Sequence, residues 1–409
     1  MTGVSDANLD NKWNNTFSKV RLFASYDGHD PGREDEGGGP HEPPDPFGDC
    51  SYTELLADDA CNQKGVRLTF VHTQGTVTKY RHVLLAWAWE NSADHISIDG
   101  LNSADKPKPD PLNPGVQPRL GKGVHAGGIV WYGFNIFVAD TRTGIRVFDL
   151  RKIFDLDPDG NPATHDAMGA DTDGIPTTAN IQDKKRVGRH DHVWYSFGYR
   201  YIMPQVASWK FTAEQNNPRN PSYACVSTGA PKASYIALDR STEPDRILLG
   251  EYCRPQVDQD DKTIDLPSTG RIASYRASHL QELTRTTVPA QGWANYLPQA
   301  SGRAQGAVSH DDKLFINVSD GKTKPGRLYR ASWNSVGKLS VDDYIETATG
   351  PEDLYIDREE QRMWSISEYR PTMDLTTGLV ECDRGPLPNV CQRALYTYDL
   401  NRLTQTNMQ

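Results

Sequence analysis

Seven residues in this chain have the types and the local contexts to do chemistry together: His125 ahead of Gly127, His190 and His192 in GRHDHVWYS, Arg303 and Gln305 in GRAQGAVSH, and Glu352 with Asp353 in GPEDLYID. Each stands at or near the start of a short apolar run that reads as a strand. Imidazoles joined by a carboxylate and an amide oxygen can hold a divalent transition metal. Without a metal, the same groups supply a histidine base with an acid partner, and Arg303 holds an anionic group. His190 and His192 flank Asp191, so on a strand they share one face. The structural alternative is a set of polar strand starts satisfied by neighbouring backbone.

A second constellation is DLDPDGNPATHD, residues 155–166. Asp155, Asp157 and Asp159 followed by Gly160 repeat the D-x-D-x-D-G opening of a calcium loop, in which alternating carboxylates wrap a hard cation and glycine permits the sharp turn. Asp166 takes the twelfth position. Pro158 stiffens the loop and no clear helix follows, so a solvated acidic loop is the other reading.

The six cysteines fall into three close pairs, Cys50 with Cys61, Cys225 with Cys253, and Cys382 with Cys391. Local pairing without C-x-x-C spacing predicts three disulfides and therefore an exported, extracellular protein. The segment MTGVSDANLDNKWNN lacks the charged and apolar regions of a signal peptide, so on this reading the leader is already gone. A formal charge of -10 with no basic run opposes binding to nucleic acid or anionic membrane, and no nucleic-acid partner is expected. The most apolar piece, His82–Trp89, has the length of a strand and not of a membrane span. The chain is expected to act as a monomer on a small molecule or glycan. No G-x-S-x-G elbow, H-E-x-x-H helix or Walker loop occurs, and GKGVHA from Gly121 precedes a strand where a dinucleotide fingerprint needs a helix.

The elements that must position these residues repeat. GGIVWYG, FNIFVAD and GIRVFDL form one triplet; SYIALD, RILLGEY and GRIASYRA a second; GAVSHD, KLFINVSD and GRLYRASW a third; EDLYID, RMWSISEY and QRALYTYDL a fourth. Residues 192–211 fit the same template, residues 65–89 supply material for a sixth unit, and KVRLFASY near Lys19 is placed to complete the last one. Three or four antiparallel strands repeated five or six times predict an all-β propeller, because one such sheet cannot bury both faces and a ring of them can. A β-sandwich with long insertions is the alternative. Residues 1–409 are read as one domain with irregular insertions at about 27–61, 106–118 and 155–185, rich in Gly, Pro or acid. Trp87, Trp89, Trp131, Trp194, Trp209 and Trp364 could stack sugars, though aromatics on strands commonly fill blade cores.

The runs HAGGIVWYGFNIFVADTRTGIRVFDL and GPEDLYIDREEQRMWSISEY resemble blades of six-bladed propellers of the gluconolactonase and strictosidine-synthase-like superfamily, and of YVTN-type surface repeats. The resemblance implies the fold and no particular catalytic residues; Asp353 stands where that superfamily usually has glycine. Two functions follow as expectations. One is a secreted enzyme working by hydrolysis or elimination at the central channel, with His125, His190 and His192 as ligands or base, Glu352 and Asp353 as acid or ligand partners, and Gln305 and Arg303 beside them. The other is a non-catalytic propeller that binds a ligand or protein across one face.

Overall fold

The computed structural model describes residues 3–6, 18–26, 66–74, 77–90, 96–101, 126–141, 144–156, 181, 187–190, 193–212, 231, 233–253, 256–257, 263–265, 270–290, 295–296, 303–321, 324–335, 339–368, 395–405 and 408. Insertions 27–61 and 106–118 and most of 155–185 lie outside these residues, as do His125, His192, Asp157, Asp159, Asp166 and every cysteine except Cys253. Cys253 itself is fully buried and disulfide-bonded.

The described residues form an all-β propeller of five blades. The first blade runs outward from Gly3–Asp6 through Ser18–Tyr26 and Val66–Gln74 to Val77–Glu90, with Ile96–Gly100 added outside. The second comprises Ala126–Tyr132, Asn135–Asp140, Gly144–Asp149 and the second half of Tyr201–Lys210. Ala233–Asp239, Arg246–Glu251, Arg271–Arg276 and Asn295–Tyr296 make the third. The fourth is Ala304–His310, Lys313–Val318, Gly326–Trp333 and Leu339–Thr347, and the fifth is Pro351–Asp357, Arg362–Ser367 and Leu395–Asp399. The inner strand of each blade packs on that of the next, and Gly3–Asp6 packs on Pro351–Asp357, which closes the ring. A ring of sheets, not two facing sheets, therefore buries the blade faces.

Sequence pattern explains the layering. Asn135–Asp140 and Gly144–Asp149 are buried along their whole length, because each is covered on both faces by neighbouring blades. Leu339–Thr347, an outer strand, alternates between half-buried and exposed positions and so keeps one face in water. Between the first and second blades Val66, Leu68, Val83 and Leu85 meet Ile129, Trp131, Ile136 and Val138. Ile145 and Val147 meet Ile236, Ile247 and Leu249 at the next seam, and Leu248 and Ile272 meet Ala307, Leu314 and Ile316 at the one after. Val308, Phe315 and Leu328 then pack with Leu354 and Met363. Trp131 belongs to the first of these cores, Trp194 to a separate one with Leu84, Ile98 and Ile202, and the Trp209 Nε1–H donates to the Leu280 carbonyl at 2.9 Å, so these rings pack the fold.

Two expected elements sit elsewhere. Residues 192–211 do not form a blade: Val193–Ser196 pairs with Val187–His190 in a hairpin against Ile96–Gly100, and Tyr201–Lys210 is shared. Its first half runs parallel to Val83–Ala86 of the first blade, while its second half is antiparallel to Gly144–Phe148 of the second. Ser18–Tyr26 pairs with Gly3–Asp6 and Val66–Gln74 in the first blade, not with the last. Local strand patterning cannot distinguish these partnerships, because an apolar edge satisfies any neighbour of matching length.

Close approach of the inner strands requires residues without side chains. A Cβ on Gly127 would lie 1.8 Å from the Ser234 carbonyl oxygen, and one on Gly306 would lie 2.8 Å from the Asp353 backbone. Gly127→Ala should therefore lower the unfolding free energy by about 1–3 kcal/mol in urea titration. A change within ~0.5 kcal/mol would show that the second and third blades do not meet in this way.

Candidate active site

The beginnings of the inner strands all lie at one face of the ring, together with the ends of the second strands and the starts of the third, as antiparallel order requires. At this face the inner strands of blades two to five each carry a register shift against their neighbour, between Ala126 and Gly128, Ala233 and Tyr235, Ala304 and Gly306, and Glu352 and Tyr355. A bulge leaves its extra residue out of the ladder and re-aims it. Gly127, Ser234, Gln305 and Asp353 occupy those positions.

Asp353 fills the axis. Its carboxylate accepts the main-chain N–H of Ile129 at 3.3 Å, from the second blade, which is not a ring neighbour of the fifth. It also accepts the Leu354 N–H at 3.0 Å. Asp353 is completely buried and has a φ of +20°, a conformation that L-residues rarely adopt. Gly128 gives it room, since a Cβ there would stand 2.9 Å from the Asp353 carboxylate. This side chain is a strut across the ring at that level.

Glu352 beside it is a different group. Gln305 Nε2 donates to Glu352 Oε1 at 2.7 Å, and the Glu368 side chain acts on the Glu352 carboxyl both as a charge and as a hydrogen-bond partner. The Ser365 hydroxyl donates to the Glu352 carbonyl at 2.7 Å and itself accepts from Asn317 Nδ2 at 2.8 Å, which pins the backbone. Burial holds the Glu352 carboxyl well above the usual carboxylate range, and the charge of Glu368 pushes it further in the same direction. Glu352 is thus biased toward its neutral form at a position fixed by three neighbouring strands.

Glu368 was not singled out from sequence, yet the signal is there. Each second strand of blades two to five ends in an acid: Asp140 after FVA, Glu251 after LLG, Asp320 after NVS and Glu368 after SIS. Three of these acids are neutralised by an arginine of their own third strand. Asp140 holds Arg146 at 2.7 Å and Glu251 holds Arg271 at 2.8 Å, both pairs buried, and Asp320 holds Arg327 at 3.3 Å. Glu368, half-buried, stands beside Glu352; the arginine that matches Arg271 and Arg327 in the fifth blade is Arg393, which lies outside the described residues.

The remaining expectations divide. Gln305, Glu352 and Asp353 do come together, and Arg303 sits half-buried one residue before the same inner strand, its carbonyl accepting the Ser319 N–H at 3.2 Å. His190 does not join them, because its hairpin lies outside the first blade's outermost strand. His125 and His192 are outside the described residues. Asp155, expected as the first calcium ligand, gives both carboxylate oxygens to Arg200, at 2.7 and 2.8 Å. A cation there would have to take the carboxylate from this two-pronged partner. Among the described residues no group of three or more His, Cys, Asp or Glu is arranged to hold a metal.

No protein-family model matches the sequence, and no curated protein matches it. Among solved structures the chain is similar to an intramolecular trans-sialidase from Ruminococcus gnavus, at 9% identity and a TM-score of 0.26. That match covers 82% of this chain and 51% of the other, so the chain spans about half the length of that protein. It is also similar to a GH43_1 enzyme from Xanthomonas citri, at 8% identity and a TM-score of 0.27, covering 74% of this chain and 78% of that one. Likeness at this level says nothing about substrate.

The raised Glu352 carboxyl makes stability depend on pH with a definite sign. Its neutral form is the one that fits, so its contribution is fully present below its ordinary value near 4.5 and is lost as pH rises through the higher folded value. Glu352→Gln cannot ionise and escapes that loss. The stability of the variant relative to the parent should rise between about pH 5 and about pH 8, by at most ~1.4 kcal/mol per pH unit. Parallel urea titrations across that range check this, and a pH-independent difference would mean that Glu352 titrates normally.

Proposed function

We propose that this protein is a secreted propeller enzyme, residues 1–409 forming one unit, that acts on a small molecule or glycan at the entrance of its ring by hydrolysis or elimination. The observation that carries the reading is a pair of acids at the entrance of the fifth blade: the sealed Glu352 carboxyl, raised by burial, lies beside the half-buried Glu368. A carboxyl kept neutral by burial beside a half-exposed carboxylate is an acid with a partner, the pairing that glycoside cleavage and related reactions use. Glu352 supplies the proton and Glu368 assists, either by accepting one or by stabilising developing positive charge. Arg303, at the rim, holds an anionic group of the substrate. The disulfide at Cys253 supports an oxidising, extracellular setting. Calcium in the loop from Asp155 and a divalent metal beside His125 and His192 are parts of the same proposal that rest on the sequence.

One observation favours a second reading, a binding platform without turnover. Glu352 and Asp353 are 0% exposed and Gln305 is 4% exposed, so a ligand would have to meet the rim first.

A panel of aryl glycosides and polysaccharides separates the two, with reducing-end release reporting hydrolysis and absorbance of unsaturated product reporting elimination. Glu352→Gln and Glu368→Gln should each lower kcat/KM by about 10²- to 10⁴-fold with no fall in melting temperature. Ligand binding that survives both substitutions, with no turnover on any member, would replace the enzyme by the platform.

A further inference from the structure

We infer that Gln305 is a positioning residue that fixes which oxygen of Glu352 carries the proton, a reading that rests on the assignment of Glu352 as the acid. Gln305 is the bulged residue of the fourth blade's inner strand, between Ala304 and Gly306, so its side chain leaves the ladder. Gly306 lets the Asp353 backbone come against the same strand, which brings the fourth and fifth blades close enough for Gln305 to reach Glu352. An amide NH₂ only donates, so the Glu352 oxygen it faces, Oε1, must accept. A proton on Oε1 would put two donors against each other. The proton of neutral Glu352 therefore sits on Oε2, the oxygen that Gln305 leaves free. That offers the proton to Glu368, whose side chain interacts with Glu352 as a hydrogen-bond partner, and to a substrate oxygen, with Gln305 preventing the carboxyl from turning it back into the ring.

The groups that act on Glu352 are Glu368 and Asp353, both acidic, the positive charge of the N-terminal amino group, which lowers its pKa, and the neutral Gln305; the buried phenol of Tyr396 feels Glu352 in turn. Among the neighbouring side chains Gln305 is the group whose amide favours the ionised form. Its removal must therefore raise the Glu352 pKa.

The test is infrared titration of the protonated carboxyl stretch, assigned to Glu352 by its loss in Glu352→Gln, in the parent, Gln305→Met and Gln305→Asn. Methionine keeps the volume without a donor, and asparagine keeps the amide one methylene short, so either folded variant decides the matter. Both should raise the midpoint, by about one pH unit for a lost hydrogen bond to a charged group. A lowered midpoint would mean that the amide carbonyl accepts the Glu352 proton, and an unchanged one that the contact is idle; either overturns the inference. The pH-rate profile, where a substrate is found, should shift with the band. If the band moves and the rate does not, Gln305 positions Glu352 as stated and Glu352 is not the acid.

Discussion

Five strand ends can meet on one axis only if almost nothing projects from them, and the chain meets that constraint with small residues at one face of the ring. Ala126, Gly127 and Gly128, then Ala233 and Ser234, then Ala304 and Gly306 provide a surface nearly bare of side chains. Into the space left enters Asp353, whose carboxylate satisfies a backbone donor of a blade that is not its neighbour. The packing of the four apolar seams depends on that meeting, because blades held apart at the axis would not close against one another. Bulges at the same level reconcile the crowding with continuous ladders further along each strand.

Charge is handled by the same geometry. The ends of the second strands bring acids to a region removed from water, where a lone carboxylate is costly. Arginines drawn from the adjacent third strand answer this in the second, third and fourth blades, with two-pronged geometry that satisfies both oxygens of Glu251. In the fifth blade the residue at the corresponding place ahead of the third strand is Arg393, which lies outside the described residues. The described residues show a second acid there, Glu368, beside the buried Glu352 whose carboxyl burial and the Glu368 charge raise.

Much of this was legible in the residues. GIRVFDL, GRLYRASW and RILLGEY announce strands through their branched and aromatic content, and they form the strands of blades two to four in the expected order. Convergence of Gln305, Glu352 and Asp353 was legible too, since each opens an inner strand. Blade membership of the segments around Lys19 and His192 was not, because strand pairing is decided by what lies alongside in space. His190 went astray for that reason. The importance of Glu368 was hidden differently: in sequence it is one polar residue after the apolar run SIS, and its meaning comes from the buried Glu352 that the adjoining strand sets beside it.

The strand Tyr201–Lys210, shared between two blades, bears on how the chain is made. The outer edge of the first blade waits for residues 201–204, and its inner strand, Gly3–Asp6, waits for Pro351–Asp357 and Arg362–Ser367. The strand Gly3–Asp6 therefore stays without its final neighbours until the fifth blade is in place. A ring assembled in this order locks at its last blade and not progressively.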